Sequence, residues 1–260
     1  MAAIYFKEQN LHFQDIGFGQ PIVFLHGFLE DKSIWKSMIN GLSNEYKCVS
    51  IDLPGHGKSG SFNEIHTMEE MAQAVKAVID YLEIDRVILA GHSMGGYVAL
   101  AFAELFPRKV LALSLINSTP KADNAEKQLN RDRAVEAVIK DKQNFIRMSI
   151  PQLFAAETRE MFQKEINKLK NKAALMDVEG ITAALKGMKI RIDRTAVMVN
   201  GSYPSQIIIG AKDNLVPISS LDDLRKNREI EIIEIGGGHM SYIESVEELS
   251  YYFMRFIEKV

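Results

Sequence analysis

A chain of 260 residues, 47% apolar and 25% charged, has the composition of a soluble globular protein with enough length for one catalytic domain and an insertion. Its formal charge of -3 leaves no basic footprint for nucleic acid, and no apolar run approaches the roughly 18–20 residues of a membrane helix. The first residues, Met1 to Glu8, lack a signal-peptide pattern, so a cytoplasmic location and small-molecule partners are expected, with neither nucleic acid nor membrane.

Along the chain, Ile4 to Lys7 and Leu11 to Ile16 read as an antiparallel opening pair, punctuated by Gly17-Phe18-Gly19-Gln20-Pro21. Then the rhythm changes. Ile22 to Leu25, Cys48 to Ile51, Val87 to Ala90 and Leu111 to Ile116 are nearly continuous apolar runs, the pattern of parallel strands covered on both faces. Helix-patterned stretches separate them, at Ser33 to Leu42, Thr67 to Leu82 and Met94 to Phe106. Thr67 three residues before Glu70 forms a capping box. The single Cys48 can form neither an internal disulfide nor a thiolate metal site, and is expected buried in its strand. From about Ser118 to Lys189 polar, helix-favouring residues dominate and predict a helical insertion. Strand patterns return at Gln206 to Ile209 and Ile230 to Ile235, each followed by a helix-like segment, the last from Ser241 to about Lys259.

Chemistry concentrates at the strand ends. Gly91-His92-Ser93-Met94-Gly95 lies between an apolar strand and a helix, a sharp turn that exposes a serine hydroxyl to a base. An acyl-transfer intermediate also needs two backbone N–H donors aimed at its oxyanion, each worth about 10²–10³ in rate. Met94 opens the helix and offers one; Phe28, in His26-Gly27-Phe28-Leu29 after an earlier strand, offers the other. Among the six histidines, His239 in Gly236-Gly237-Gly238-His239-Met240 is the candidate base, because it follows the nucleophile in a loop between the last strand and helix. His12 and His66 read as surface or structural residues, and His26, His56 and His92 as loop holders. Asp213, in the loop after Gln206 to Ile209, is the candidate acid.

Four motifs together resemble the lipase/esterase side of the α/β-hydrolase superfamily over essentially the full chain: His26-Gly27-Phe28, Asp52-Leu53-Pro54-Gly55-His56-Gly57-Lys58-Ser59, Gly91 to Gly96, and Asp213 with His239. The resemblance implies a mostly parallel, twisted, eight-stranded sheet with helices on both faces. A core of residues 1–117 and 190–260 would carry a helical cap of 118–189. Where some related enzymes place the acid, after Leu111 to Ile116, this chain has Asn117. The Asp52 to Ser59 stretch is expected to shape a turn. The implied activity is acyl transfer on a carbonyl or ester through a Ser93–His239–Asp213 triad, with no cofactor and no metal; a carboxylesterase is the leading expectation. C–C hydrolases, lactonases, cofactor-free haloperoxidases and the lyase of menaquinone synthesis share that triad, and a ligand receptor or signalling protein retaining it is the alternative of another class. Phe28, Leu29, Met94, Phe145, Phe154 and Met240 are the expected substrate contacts. Met148, Leu153, Met161, Phe162, Leu175, Met176 and Met188 are further apolar candidates in the insertion, and Lys168, Lys170 and Lys172 read as a solvated face.

Overall fold

A computed structural model describes residues 2–226 and 230–260. The chain opens with a hairpin of β1 (Ala2–Phe6) and β2 (Gln9–Ile16). Its turn residues Lys7 and Glu8 have φ of 45° and 65°, the paired left-handed conformations of a tight hairpin turn, so the first strand ends before Lys7. There follow β3 (Gln20–Leu25), α1 (Lys36–Leu42), β4 (Tyr46–Ile51), α2 (Met68–Tyr81), β5 (Val87–His92), α3 (Met94–Leu105) and β6 (Val110–Ile116). Next come α4 (Ala125–Ser149), α5 (Gln163–Ala174), α6 (Val178–Lys189), α7 (Thr195–Asn200), β7 (Ser205–Gly210), β8 (Ile230–Ile235), α8 (Ser241–Glu244) and α9 (Val246–Ile257).

The eight strands form one sheet in the order β1-β2-β4-β3-β5-β6-β7-β8, antiparallel as far as β4 and parallel beyond it. Both faces are covered, which is why the central strands carry no polar alternation. In β3, Val23 and Leu25 join the cluster beneath α2 and α3, whereas Ile22 and Phe24 pack with Trp35 and with Phe253 of α9 on the other face. Cys48 is buried in β4, and burial pushes its thiol up to about 12. Because β4 and β5 flank β3 on opposite sides, the chain reverses direction across the sheet there, and a crevice opens at the carboxyl ends of β3 and β5. Leu25 and Gly91 are paired at that point.

Several local readings change. At α2, Thr67 Oγ1 accepts from Glu70 N at 3.1 Å, but the Glu70 carboxylate turns outward to Lys7 Nζ at 3.0 Å and Asn63 Nδ2 at 2.6 Å, so only half of a capping box forms. After β7 the described residues hold two short 3₁₀ turns, Ile218–Leu221 and Leu224–Lys226, instead of a helix. Asp213 Oδ1 takes up the N–H groups of Leu215 and Val216, and Pro217 has none to give, so no helical ladder can start. The terminal helix is interrupted at Ser245 (φ -144°, ψ 46°), and α7 was not expected. Residues 118–189 do form helices. Among them α6 is pinned to the sheet side: a Cβ on Gly180 would stand 2.5 Å from Gly55 O, and His66 N donates to Ala183 O at 3.0 Å. Lys172 of α5, read as part of a solvated face, instead reaches Asp31 Oδ2 at 2.8 Å and so ties that helix to the loop after β3.

Candidate active site

The strand-to-helix turn at Ser93 is as tight as its sequence requires. Ser93 has φ 50° and ψ -116°, a sparsely populated conformation that costs about 1–3 kcal/mol. A Cβ on Gly91 would lie 2.4 Å from Gly95 O, and one on Gly95 would lie 2.2 Å from Leu25 O. Strand, helix and neighbouring strand therefore meet only because both positions are glycine. A main-chain bond from Ser93 N to Ile116 O (2.9 Å) and a side-chain bond from Ser118 Oγ to Ser93 O (2.7 Å) fix the turn.

The structure brings His239 and Asp213 to this serine. His239 Nε2 lies 2.9 Å from Ser93 Oγ, and His239 Nδ1 lies 2.8 Å from Asp213 Oδ2. Asp213 also accepts from Asn117 Nδ2 and from the N–H groups of Leu215 and Val216, each at 2.9 Å. Burial alone would raise the Asp213 carboxyl, but the His239 imidazole and these donors outweigh it and hold the group below its ordinary value. The carboxylate is thus an acceptor for the Nδ1 proton, which leaves Nε2 free to accept one from the hydroxyl. The N–H groups of Phe28 and Met94 donate to no acceptor among the described residues.

A cavity of about 730 Å³ opens over Ser93 and His239. Of the six expected contacts, only Phe28 and Phe145 line it. Leu29, Met94, Phe154 and Met240 are buried in the core and do not line the cavity. Leu29 takes a left-handed φ of 61° that turns its side chain into the core, and the Met94 side chain packs beneath α3 while its N–H stays at the turn. Phe154 packs on Phe162, and its neighbour Leu153 faces the cavity instead, with Leu153 O accepting from His239 N at 2.9 Å. Met148 and Met188 also line the cavity, whereas Met161 and Leu175 are 77% and 85% exposed and Met176 is buried.

A family model described as alpha/beta hydrolase fold matches residues 20–246. The chain belongs to the α/β-hydrolase fold family. A dihydrolipoyllysine-residue acetyltransferase component of an acetoin cleaving system from Pseudomonas putida is 32% identical over 253 residues, covering 93% of this chain and 64% of that protein. The chain thus spans just under two thirds of that relative's length. A pimeloyl-acyl-carrier-protein methyl ester esterase from Vibrio parahaemolyticus is 26% identical over 221 residues, 83% of this chain and 84% of that protein. The solved structure of a thermophilic esterase from Thermogutta terrifontis, with malate bound, superposes with a TM-score of 0.91 at 29% identity over 96% of this chain and 94% of that one.

Beneath the serine, this α/β-hydrolase carries a buried ion pair that the sequence reading did not single out. His92 Nδ1 lies 3.0 Å from Glu30 Oε2, and His92 Nε2 lies 2.9 Å from His239 O. Both partners are acceptors, so both ring nitrogens carry protons. Glu30 also accepts from Gly27 N, at 2.5 Å, and from Tyr242 Oη, at 3.0 Å. Burial opposes both charges, yet the pair's mutual attraction holds the Glu30 carboxyl below and the His92 imidazolium above their ordinary values. One network therefore joins the loop of Phe28 to the backbone of His239. The signal was an acid, Glu30, directly after the apolar Phe28-Leu29 pair. His26 and His56 do hold loops: His26 Nε2 accepts from Leu53 N at 2.9 Å, and burial lowers His56 to about 3. In the Asp52 to Ser59 turn, Asp52 gathers Lys32 N at 2.9 Å, Lys58 N at 3.1 Å and the Lys32 ammonium.

Proposed function

We propose that the protein is a serine hydrolase that cleaves a small carboxylic ester through an acyl-enzyme. The observation that carries this reading is the single imidazole, His239, within hydrogen-bond distance of both a strained serine and a buried carboxylate. Ser93 Oγ attacks the ester carbonyl carbon while its proton passes to His239 Nε2. The N–H groups of Phe28 and Met94 receive the developing oxyanion. Collapse breaks the C–O bond, and the departing alkoxide takes the proton from His239. Water then attacks the acyl-enzyme, giving a proton to His239 that returns to Ser93 as the carboxylic acid leaves. Asp213 holds the imidazole tautomer and supports its charged form. Residues 118–189 act as a cap that roofs the pocket, with Phe28 and Phe145 among its apolar contacts, on a core of 1–117 and 190–260. No cofactor is needed for this sequence of steps.

The esterases of Vibrio parahaemolyticus and Thermogutta terrifontis support an ester over the other carbonyl substrates open to the same triad. The Ser93-Met94-Gly95-Gly96 helix start, with the Met94 N–H left without an acceptor among the described residues, favours an enzyme over a ligand receptor that would retain the same triad. Turnover of p-nitrophenyl esters of increasing acyl length tests the reading: it should fall by about 10⁴-fold or more in Ser93→Ala. Ligand binding without turnover in the wild type would instead favour the receptor.

A further inference from the structure

The cavity has two unlike walls. Phe28, Phe145, Met148, Leu153, Leu185 and Met188 form an apolar one. The other is the start of α4 and the turn before it, where Lys127, Arg131 and Asp123 face the same space.

Charges on this second wall balance in number but not in pairing. Asp123 is buried, its Oδ2 accepting from Arg131 Nε at 3.1 Å and its Oδ1 within ion-pair distance of Arg191 Nη1 at 2.8 Å. Arg191 is immobilised behind it, its guanidinium 3.9 Å from the centre of the Tyr97 ring and Nη1 donating to Met188 O at 2.9 Å. Two guanidinium groups thus share one carboxylate. The terminal NH₂ groups of Arg131 have no acceptor among the described residues. Lys127 stands one helical turn earlier on the same face of α4. Its ammonium donates to Leu215 O at 3.1 Å and lies within ion-pair distance of no carboxylate among the described residues. Lys127 is exposed at the cavity mouth; the partial burial of its ammonium, reinforced by Arg191 and Arg131 against the opposing Asp123 and Asp213, holds it below its usual value. Glu126 also lines the cavity but is exposed and enters no ion pair among the described residues. Lys127 and Arg131 are equal in number to Asp123 and Glu126, but Asp123 is shared with Arg191 from behind, so the Lys127 ammonium and the Arg131 NH₂ groups keep donors free towards the cavity.

We propose that Lys127 and Arg131 form an anion subsite, and that the preferred substrate is an ester carrying a free carboxylate remote from the scissile carbonyl. This rests on the serine-hydrolase reading above. The carboxylate accepts from the Lys127 ammonium and from the unpaired NH₂ groups of Arg131, while the apolar wall covers the connecting methylenes. A carboxylate, with two acceptor oxygens and one charge, matches these free donors. The subsite lies on the acid's side of the serine, because Leu215, which anchors Lys127 through its carbonyl, donates its own N–H to Asp213 Oδ1 at 2.9 Å.

The test compares kcat/KM for monomethyl esters of linear diacids, from succinate to pimelate, with methyl esters of monoacids of equal length. At least one diacid ester should be preferred by about tenfold or more, the yield of charge-assisted hydrogen bonds, and the preference should shrink at high salt. Lys127→Gln should reduce that ratio several-fold, and Lys127→Glu should abolish it. Lys168→Glu, the same charge change on an exposed position of α5, should leave it intact. Equal kcat/KM for both series, with a ratio unmoved by Lys127→Glu, overturns the subsite while Ser93-dependent turnover keeps the hydrolase reading standing. Absence of turnover on every ester, with Ser93 unreactive towards a fluorophosphonate, overturns both.

Discussion

The carboxyl edge of the sheet and the helical roof above it enclose one cavity, but they are held by different physics. At the sheet edge each polar group is fixed by short, directed bonds: Asp213 accepts four, and the Glu30–His92 pair ties the Phe28 loop to the His239 backbone. In the roof, apolar packing decides which side chains face the cavity, and neighbours such as Leu153 and Phe154 take opposite fates. Reaction geometry therefore tolerates almost no change of residue type, whereas pocket shape can be altered one side chain at a time.

The sharpest way to break that contrast is at the proposed acid. Asp213→Asn should lower kcat by about 10²–10⁴-fold, since an amide no longer dictates the imidazole tautomer. Asn117, whose Nδ2 is 2.9 Å from Asp213 Oδ2, occupies the other place from which a carboxylate could reach His239. Asn117→Asp in the Asp213→Asn background should restore part of the loss, and steady-state kinetics on one ester would measure both steps. Full activity in Asp213→Asn would show the acid assignment to be wrong.

Glu30→Gln should cost stability, about 3–5 kcal/mol for breaking a buried pair, as read from denaturant unfolding. Its pH dependence is two-sided. Glu30 is depressed, so its contribution is present above the ordinary carboxyl pKa and is lost as pH falls through its lower folded value. His92 is raised, so its contribution is complete below the ordinary imidazole pKa and is lost as pH rises through its higher folded value. The gap between wild type and Glu30→Gln should be widest between those limits and narrow on both sides.

Two phenylalanines test the roof. Phe154→Ala should destabilise by about 3–5 kcal/mol, seen in thermal melts, because a fully buried ring leaves a void. Phe145→Ala, on the cavity wall, should raise KM by a few-fold with kcat little changed. The reverse pattern would mean that the cavity wall is misassigned.

Legibility in the sequence follows the same divide. The elbow, the parallel strands and the chain order of Ser93, Asp213 and His239 are written in local patterns, because strand periodicity and glycine-bounded turns are short-range constraints. Glu30 escaped notice because its partner lies 62 residues away, and the carbonyl that completes the His92 environment lies 147 residues away. No local pattern encodes such pairs. In the insertion, Phe145 and Phe154 are equally apolar, and only the kink of α4 at Asp141 and the turn after it separate wall from core. The segment after β7 misled because Asp213 spends its carboxylate on the N–H groups that would otherwise have begun a helix.

The central claim is that Ser93 is the nucleophile activated by His239. Mass spectrometry of the protein after a fluorophosphonate tests it directly. One adduct is expected, on Ser93, and is lost in His239→Ala; an adduct on any other residue, or ester turnover surviving in Ser93→Ala, would contradict this assignment.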